Sequence, residues 1–187
     1  MKLSWHQLDV RLKRTFTISS QSLDVRHNVL VTLGAGGGIV GRGEAEPTAY
    51  YGETVESAIA ALEAFDPAPL VGIEEDVPVD DVVAECAEQL PGAMSVLAAL
   101  DAALWDIRGK QLGEPVWRLF GAPGKTNTPT SYTIGIADPD TMARGAEEVG
   151  GQYEILKIKV GSDGDPAGHR PPDPRRCERR VGRRRGH

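Results

Sequence analysis

The sequence predicts an α+β domain followed by a single βαβ unit, the opening of a parallel sheet. Three observations point there. Apolar residues alternate at period two over the first 46 positions, and they then recur at helical spacing as far as Leu112. From Lys125 onward the pattern becomes strand, helix, strand. A length of 187 residues suits one domain, or a small domain and part of another. With 40% hydrophobic and 26% charged residues, the composition is that of an ordinary globular chain, so any function must be sought in particular residues.

The strands come first. Leu3 and Trp5, Phe16 and Ile18, and Val29, Val31 and Leu33 alternate as half-buried strands do. Gly34-Ala35-Gly36-Gly37-Gly38 turns the chain into Ile39-Val40-Gly41-Arg42-Gly43-Glu44, which completes a three-stranded meander. Gly36 to Gly41 also matches GxGxxG, the dinucleotide fingerprint. That fingerprint requires its glycines to end a strand and open a helix facing a pyrophosphate. Here another strand follows, so the glycines read as a hairpin.

Three helical stretches come next. Val55, Ala58, Ile59 and Leu62 share a face, with Thr54 as N-cap. Val79, Val83, Cys86 and Leu90 repeat at four, three and four, and Pro91 ends the run. The longest helix spans about 93–112, with Leu97, Leu100, Leu104, Ile107 and Gln111 in one stripe. Gly113 and Pro115 stop it. The acidic residues Glu44, Glu46 and Glu53, around Tyr50 and Tyr51, read as a solvated loop.

Thr130 to Ile136 then reads as a strand, and Asp138-Pro139 as an N-cap with proline at the first helical position. Met142, Ala146 and Val149 form the inward face of a short helix, and Ile155 to Gly161 is a second strand. A parallel sheet of two strands cannot bury both of its faces, so more strands are expected after it. The residues from Asp165 are of another kind, with four prolines and eight arginines among 23 and Val181 the one large aliphatic. Residues 1–164 carry 13 basic and 24 acidic side chains, against eight and three in 165–187. The last stretch is expected to be a disordered Arg/Pro-rich tail without the interleaved aromatics of a nucleic-acid binder.

Cys86 and Cys177 match no ligand spacing and read as free thiols. His6, His27, His169 and His187 form no triad or metal spacing. With no signal-peptide-like start and no apolar run of about 20 residues, the chain is expected in the cytoplasm and off the membrane.

Lys157-Ile158-Lys159 carries the chemistry. Residues two apart in a strand share a face, roughly 6.5–7 Å apart. Ile155, Lys157 and Lys159 lie on one face, and Leu156, Ile158 and Val160 on the other. If the apolar face packs on helices, the ammonium groups point inward. Burial and the neighbouring charge both disfavour protonation there, which is how a lysine becomes a base. An edge strand with solvated lysines is the alternative.

Ala99-Leu100-Asp101-Ala102-Ala103-Leu104-Trp105-Asp106-Ile107-Arg108-Gly109-Lys110, followed by Gly113 to Gly121, resembles the end of the capping domain in the muconate-lactonizing, mandelate racemase-like branch of the enolase superfamily. Lys157 to Gly161 resembles that branch's KxK motif, and Tyr132-Thr133-Ile134-Gly135-Ile136 the first barrel strand of its dipeptide epimerases. The resemblance covers residues 1 to about 161. It implies a capping domain over 1–125, the start of a (β/α) TIM-like barrel over 126–164 that is not completed, and the tail over 165–187.

The implied chemistry is proton abstraction alpha to a carboxylate, with Mg²⁺ stabilising the resulting anion. Carried over by position, Lys159 is the catalytic base on one face. Lys157 supports it near the substrate carboxylate, and Thr133 binds the substrate. The loops around Ser19–Ser22 and Glu44–Gly52 would close over a small molecule, by resemblance a dipeptide. The family's metal ligands stand on the third, fourth and fifth barrel strands and its opposing lysine on the sixth. No residue here is therefore assigned to the metal, and the chain alone is expected to be inactive. A frameshift near codon 165 is the expected origin of the change at Asp165-Pro166. A non-catalytic binding module, self-associating over the strand edges, is the alternative. The motifs equally suit a muconate cycloisomerase or an o-succinylbenzoate synthase.

Overall fold

Residues 1–18, 21–124 and 128–160 are described by a computed structural model of the chain. The expected tail, the change at Asp165-Pro166, Cys177 and residues Ser19 and Ser20 lie outside them. The chain forms two compact units. One comprises Met1–Val10 with Arg26–Lys125, the other Arg11–Val25 with the residues from Thr126.

Strands β1 (Lys2–Ile18), β2 (Gln21–Gly34) and β3 (Val40–Ala45) form a sheet in that order, as the period-two pattern predicts. β2 and β3 run antiparallel with Val29 opposite Ala45, Val31 opposite Gly43 and Leu33 opposite Gly41. All six therefore share one face, and all are buried. Helix α3 (Met94–Leu112) lies on that face through Ala99 and Ala103. A Cβ on Gly43 would overlap the Ala99 carbonyl, and one on Gly41 the Ala103 carbonyl. The third glycine of the GxGxxG match thus serves helix-on-strand packing, the close approach that only glycine permits.

Helix α1 (Val55–Ala64) begins at Thr54 with a reciprocal capping box. The Ser57 amide donates to the Thr54 hydroxyl at 3.1 Å, and the Thr54 amide donates to the Ser57 hydroxyl at 2.9 Å. Helix α2 (Val79–Gln89) buries Val79, Val82 and Cys86, with Leu90 just beyond its end. Val83, expected at the centre of that stripe, is only partly buried. The buried stripe runs Val79, Val82, Cys86 and Leu90, so Val82 takes the inward position expected of Val83. Of the expected stripe in α3, Leu100, Leu104 and Ile107 are fully buried, Leu97 is partly buried and Gln111 is exposed, and the helix stops at Gly113 in the left-handed conformation, φ 68°. Helix α4 (Val116–Leu119) follows.

In the second unit, β4 (Ser131–Ile134), α5 (Pro139–Val149) and β5 (Ile155–Ile158) make one βαβ unit with parallel strands. Asp138 caps α5, its carboxylate accepting from the Thr141 amide at 3.0 Å. Ile134, Met142 and Ala146 form a small core with Tyr132, Val149, Leu156 and Ile158 packed around it. The architecture is thus an α+β sheet domain followed by a partial barrel unit that does not close among the described residues.

Candidate functional site

Parallel sheets collect ligands at the carboxyl ends of their strands. In the second unit that end carries the lysine motif. The register pairs Tyr132 with Leu156, Thr133 with Lys157, and Ile134 with Ile158. Because Tyr132, Ile134, Leu156 and Ile158 pack around the α5 core, Thr133 and Lys157 fall together on the opposite face. Cross-strand neighbours in such a ladder stand about 4.8 Å apart in the hydrogen-bonding direction. The Lys159 amide donates to the Ile134 carbonyl at 3.0 Å, which extends the ladder past β5 and holds Lys159 at the strand terminus. All three residues singled out in the sequence therefore gather at one end of one small sheet.

Their exposure differs. Lys157 is exposed, whereas Lys159 and Thr133 are half-buried. Val160, expected on the packed face, is 55% exposed, because the strand ends at Ile158 before that position reaches the core. Ile155, on the lysine face, is also exposed.

The resemblance alone leads to the Ser19–Ser22 hairpin being expected near the substrate, and the contacts beside this end are not foreseen from the sequence. The Ile136 amide donates to the Thr17 carbonyl at 2.8 Å, joining the end of β1 to the chain leaving β4. The Thr17 and Ser22 hydroxyls are 2.8 Å apart across the β1–β2 hairpin. The Arg14 guanidinium pairs with Glu148 on α5. No local pattern announces contacts that span more than a hundred residues.

The loop Glu44–Gly52 belongs to the first unit. Tyr50 and Tyr51 are exposed there, edge to face with ring centres 5.0 Å apart. Glu53, expected in a solvated loop, is instead buried. Its carboxylate accepts from the Ser95 amide at 3.0 Å and the Ser95 hydroxyl at 3.1 Å. The reason is α3, whose own N-cap residue, Ala93, offers no side-chain bond. Glu46 pairs with Arg26 at 2.9 Å, and Glu44 accepts from the Asn28 side chain.

The segment Ala99–Lys110, which carried the resemblance, is structural throughout. Ala99 and Ala103 seat the helix on β3. The Asp106 carboxylate accepts from the Arg42 amide at 3.0 Å and from Lys110 Nζ at 2.7 Å, while Lys110 also donates to the Val40 carbonyl at 2.6 Å. Arg108 pairs with Asp76 and donates to the Val77 carbonyl at 2.9 Å.

The model for the N-terminal domain of mandelate racemase/muconate lactonizing enzymes matches residues 4–121. The chain belongs to this family. An L-Ala-D/L-Glu epimerase of Bacteroides thetaiotaomicron is 32% identical over 165 residues, covering 88% of this chain and 42% of that protein. An L-Lys-D/L-Arg epimerase of Methylococcus capsulatus is 34% identical over 154 residues, 81% of this chain and 43% of the relative. A solved dipeptide epimerase from Methylococcus capsulatus, complexed with Mg and L-Arg-D-Lys, superposes with a TM-score of 0.75 at 29% identity, over 97% of this chain and 49% of its own. The chain spans less than half the length of these family members.

Magnesium accompanies that solved relative. Among the described residues of this chain, no group of three or more His, Cys, Asp or Glu side chains is placed to hold a metal ion. The described residues thus do not fit the metal. No helix among them is long and apolar enough to cross a membrane.

Proposed function

We propose that this chain supplies the base-bearing strand of an epimerase site that removes the proton alpha to a carboxylate of a small dipeptide. The observation that carries the reading is the gathering of Thr133, Lys157 and Lys159 at the carboxyl end of β4 and β5, in a family whose members include dipeptide epimerases. Lys159 Nζ is the base that takes the alpha proton. Its main chain is fixed by the ladder bond to Ile134, so the side chain starts from a defined point. Lys157 offers positive charge to the substrate carboxylate, and the Thr133 hydroxyl, its registered neighbour, offers a hydrogen bond beside it. No step is assigned to a metal through these residues. We further propose that capping and barrel-forming parts meet near residue 125.

A chimera tests the roles. Residues 1–160 replace the matching part of the Bacteroides epimerase, and exchange of the alpha proton of L-Ala-L-Glu and L-Ala-D-Glu is followed in deuterated water. Lys159→Met should lower exchange from one epimer about a hundred- to ten-thousandfold, the usual range for removing a general base, and spare binding. Lys157→Met should raise KM as well as lower kcat. Undiminished exchange from both epimers in the Lys159→Met chimera would sink the assignment.

A further inference from the structure

We infer that the open face of the capping sheet is a docking surface for a second copy of this chain. The two copies pair about a two-fold axis at Leu30, so that Arg42 of each meets Glu46 of the other.

The sheet of the first unit has two unlike faces. Helices α1, α2 and α3 pack over Val29, Val31 and Leu33, with Leu3 and Trp5 of β1 against the same core. Alternation puts Asn28, Leu30 and Thr32 of β2 on the other face. The register sets Leu30 against Glu44 and Thr32 against Arg42, and one further step brings Asn28 opposite Glu46. Lys2 of β1 stands beside Gly34, where a Cβ would fall 3.7 Å from its own. Lys2, Arg42, Glu44 and Glu46 are all exposed, and Leu30 and Thr32 are half-buried.

The charges on this face are sorted along the strands. Lys2 and Arg42 lie toward one end and Glu46 toward the other, with Leu30 and Glu44 at the middle. The side chains of Lys2 and Arg42 have no ion-pair partner among the described residues. Turning a second copy end for end, about an axis across the strands, sets Arg42 over Glu46 on both sides and Leu30 upon Leu30. Such self-complementarity is what a two-fold interface requires. An apolar partner would bury the same charges unpaired, at a cost.

A buried acceptor gives independent support. Asn28 is 7% exposed, its Nδ2 donates to the Glu44 carboxylate, and its Oδ1 meets no donor. Turning the amide over would set its oxygen against that carboxylate, so amide orientation does not remove the orphan. A buried acceptor without a donor costs about 1–3 kcal/mol, and folded proteins rarely leave one. The axis at Leu30 carries the Thr32 hydroxyl of the other copy, a donor, over Asn28. Glu44 and Glu46 are exposed, and their turning toward the incoming Arg42 opens the way to that oxygen.

Three strands about 4.8 Å apart, over five residues, present a face of roughly 14 Å by 17 Å. This is small beside the ~800 Å² per partner of a standard interface, so the pair is weak and reversible.

Sedimentation of the natural chain tests it. The average sedimentation coefficient should rise between about 10 μM and 1 mM, and about 0.5 M salt should weaken the association at least about threefold. Arg42→Glu alone, or Glu46→Arg alone, sets like charges over one another and should weaken it at least about tenfold. An equimolar mixture of the two variants restores opposite charges at both contacts and should associate as the natural chain does. Shielding of the buried Cys86 from iodoacetamide shows that the first unit of each variant is folded. A natural chain that stays monomeric to about 1 mM overturns the proposal. So does association unmoved by either charge reversal, the result expected of contact through strand edges, or a mixture no better than its components. None of these results bears on Lys159 as base, which the chimera tests separately.

Discussion

Replacing Gly43 by alanine puts a methyl group where the Ala99 carbonyl lies, and α3 must then back away from the sheet. A loss of about 2–3 kcal/mol in chemical denaturation is the expected result, whereas Gly36→Ala, whose Cβ would meet the Glu74 carboxylate at an ordinary 3.6 Å, should stay within about 0.5 kcal/mol. Cys86 makes a second prediction at this scale. Burial pushes its thiol up to about 11. The stabilising contribution is therefore complete below the ordinary thiol range and is lost as pH rises through 11. Iodoacetamide at pH 8, followed by site-resolved mass spectrometry, should leave Cys86 unmodified in the folded chain and label it in urea. Asp101 is shifted in the same direction, by burial first and the nearby Asp80 charge second. Its ionised form is disfavoured in the fold, so Asp101→Asn should raise the melting temperature at pH 7 and bring no gain in acid, below the carboxylate range. Of these three positions only the burial of Cys86 was legible in the sequence, through its place in a helical stripe. Gly43 and Asp101 owe their environments to contacts formed far along the chain.

At the level of elements, the period-two and helical patterns located every strand and helix that positions the site. They failed where one element is completed by another. Helix α3 is the clearest instance. Its start carries no capping side chain of its own, and the Glu53 carboxylate from the preceding loop takes that place at Ser95. Read locally, Glu53 sits among tyrosines and glutamates and looks solvated, because the donor it serves is 42 residues away. Glu53→Ala should cost about 1–3 kcal/mol, the range for a buried charged acceptor lost from two donors, with Glu53→Gln recovering part of it. The lysine strand shows the opposite case. A ladder register and a two-residue repeat are local properties, so the grouping of Lys157 with Lys159 was readable in advance. Their approach to Thr133 was readable only through the family resemblance, since it depends on how β4 and β5 align.

For the molecule as a whole, the segment that identifies the family and the residues proposed to do its chemistry are separate. Ala99–Lys110 holds a helix to a sheet, while the lysines stand on a strand of the other unit. Denaturation should reflect that separation. Gly43→Ala should lower the midpoint reported by Cys86 and leave the Ile136 amide protection unchanged below the transition. The hairpin carries a further consequence. Strands β1 and β2 each run without a break from one compact unit into the other. A gene cut near codon 125 therefore does not cut along a structural seam. The front fragment would carry away residues 11–25, whose partners at Ile136 and Glu148 are encoded behind the cut. The rear fragment would begin with an open strand. Exchange of whole modules between relatives, in the laboratory or by recombination, would have to transfer codons 11–25 together with those of the second unit.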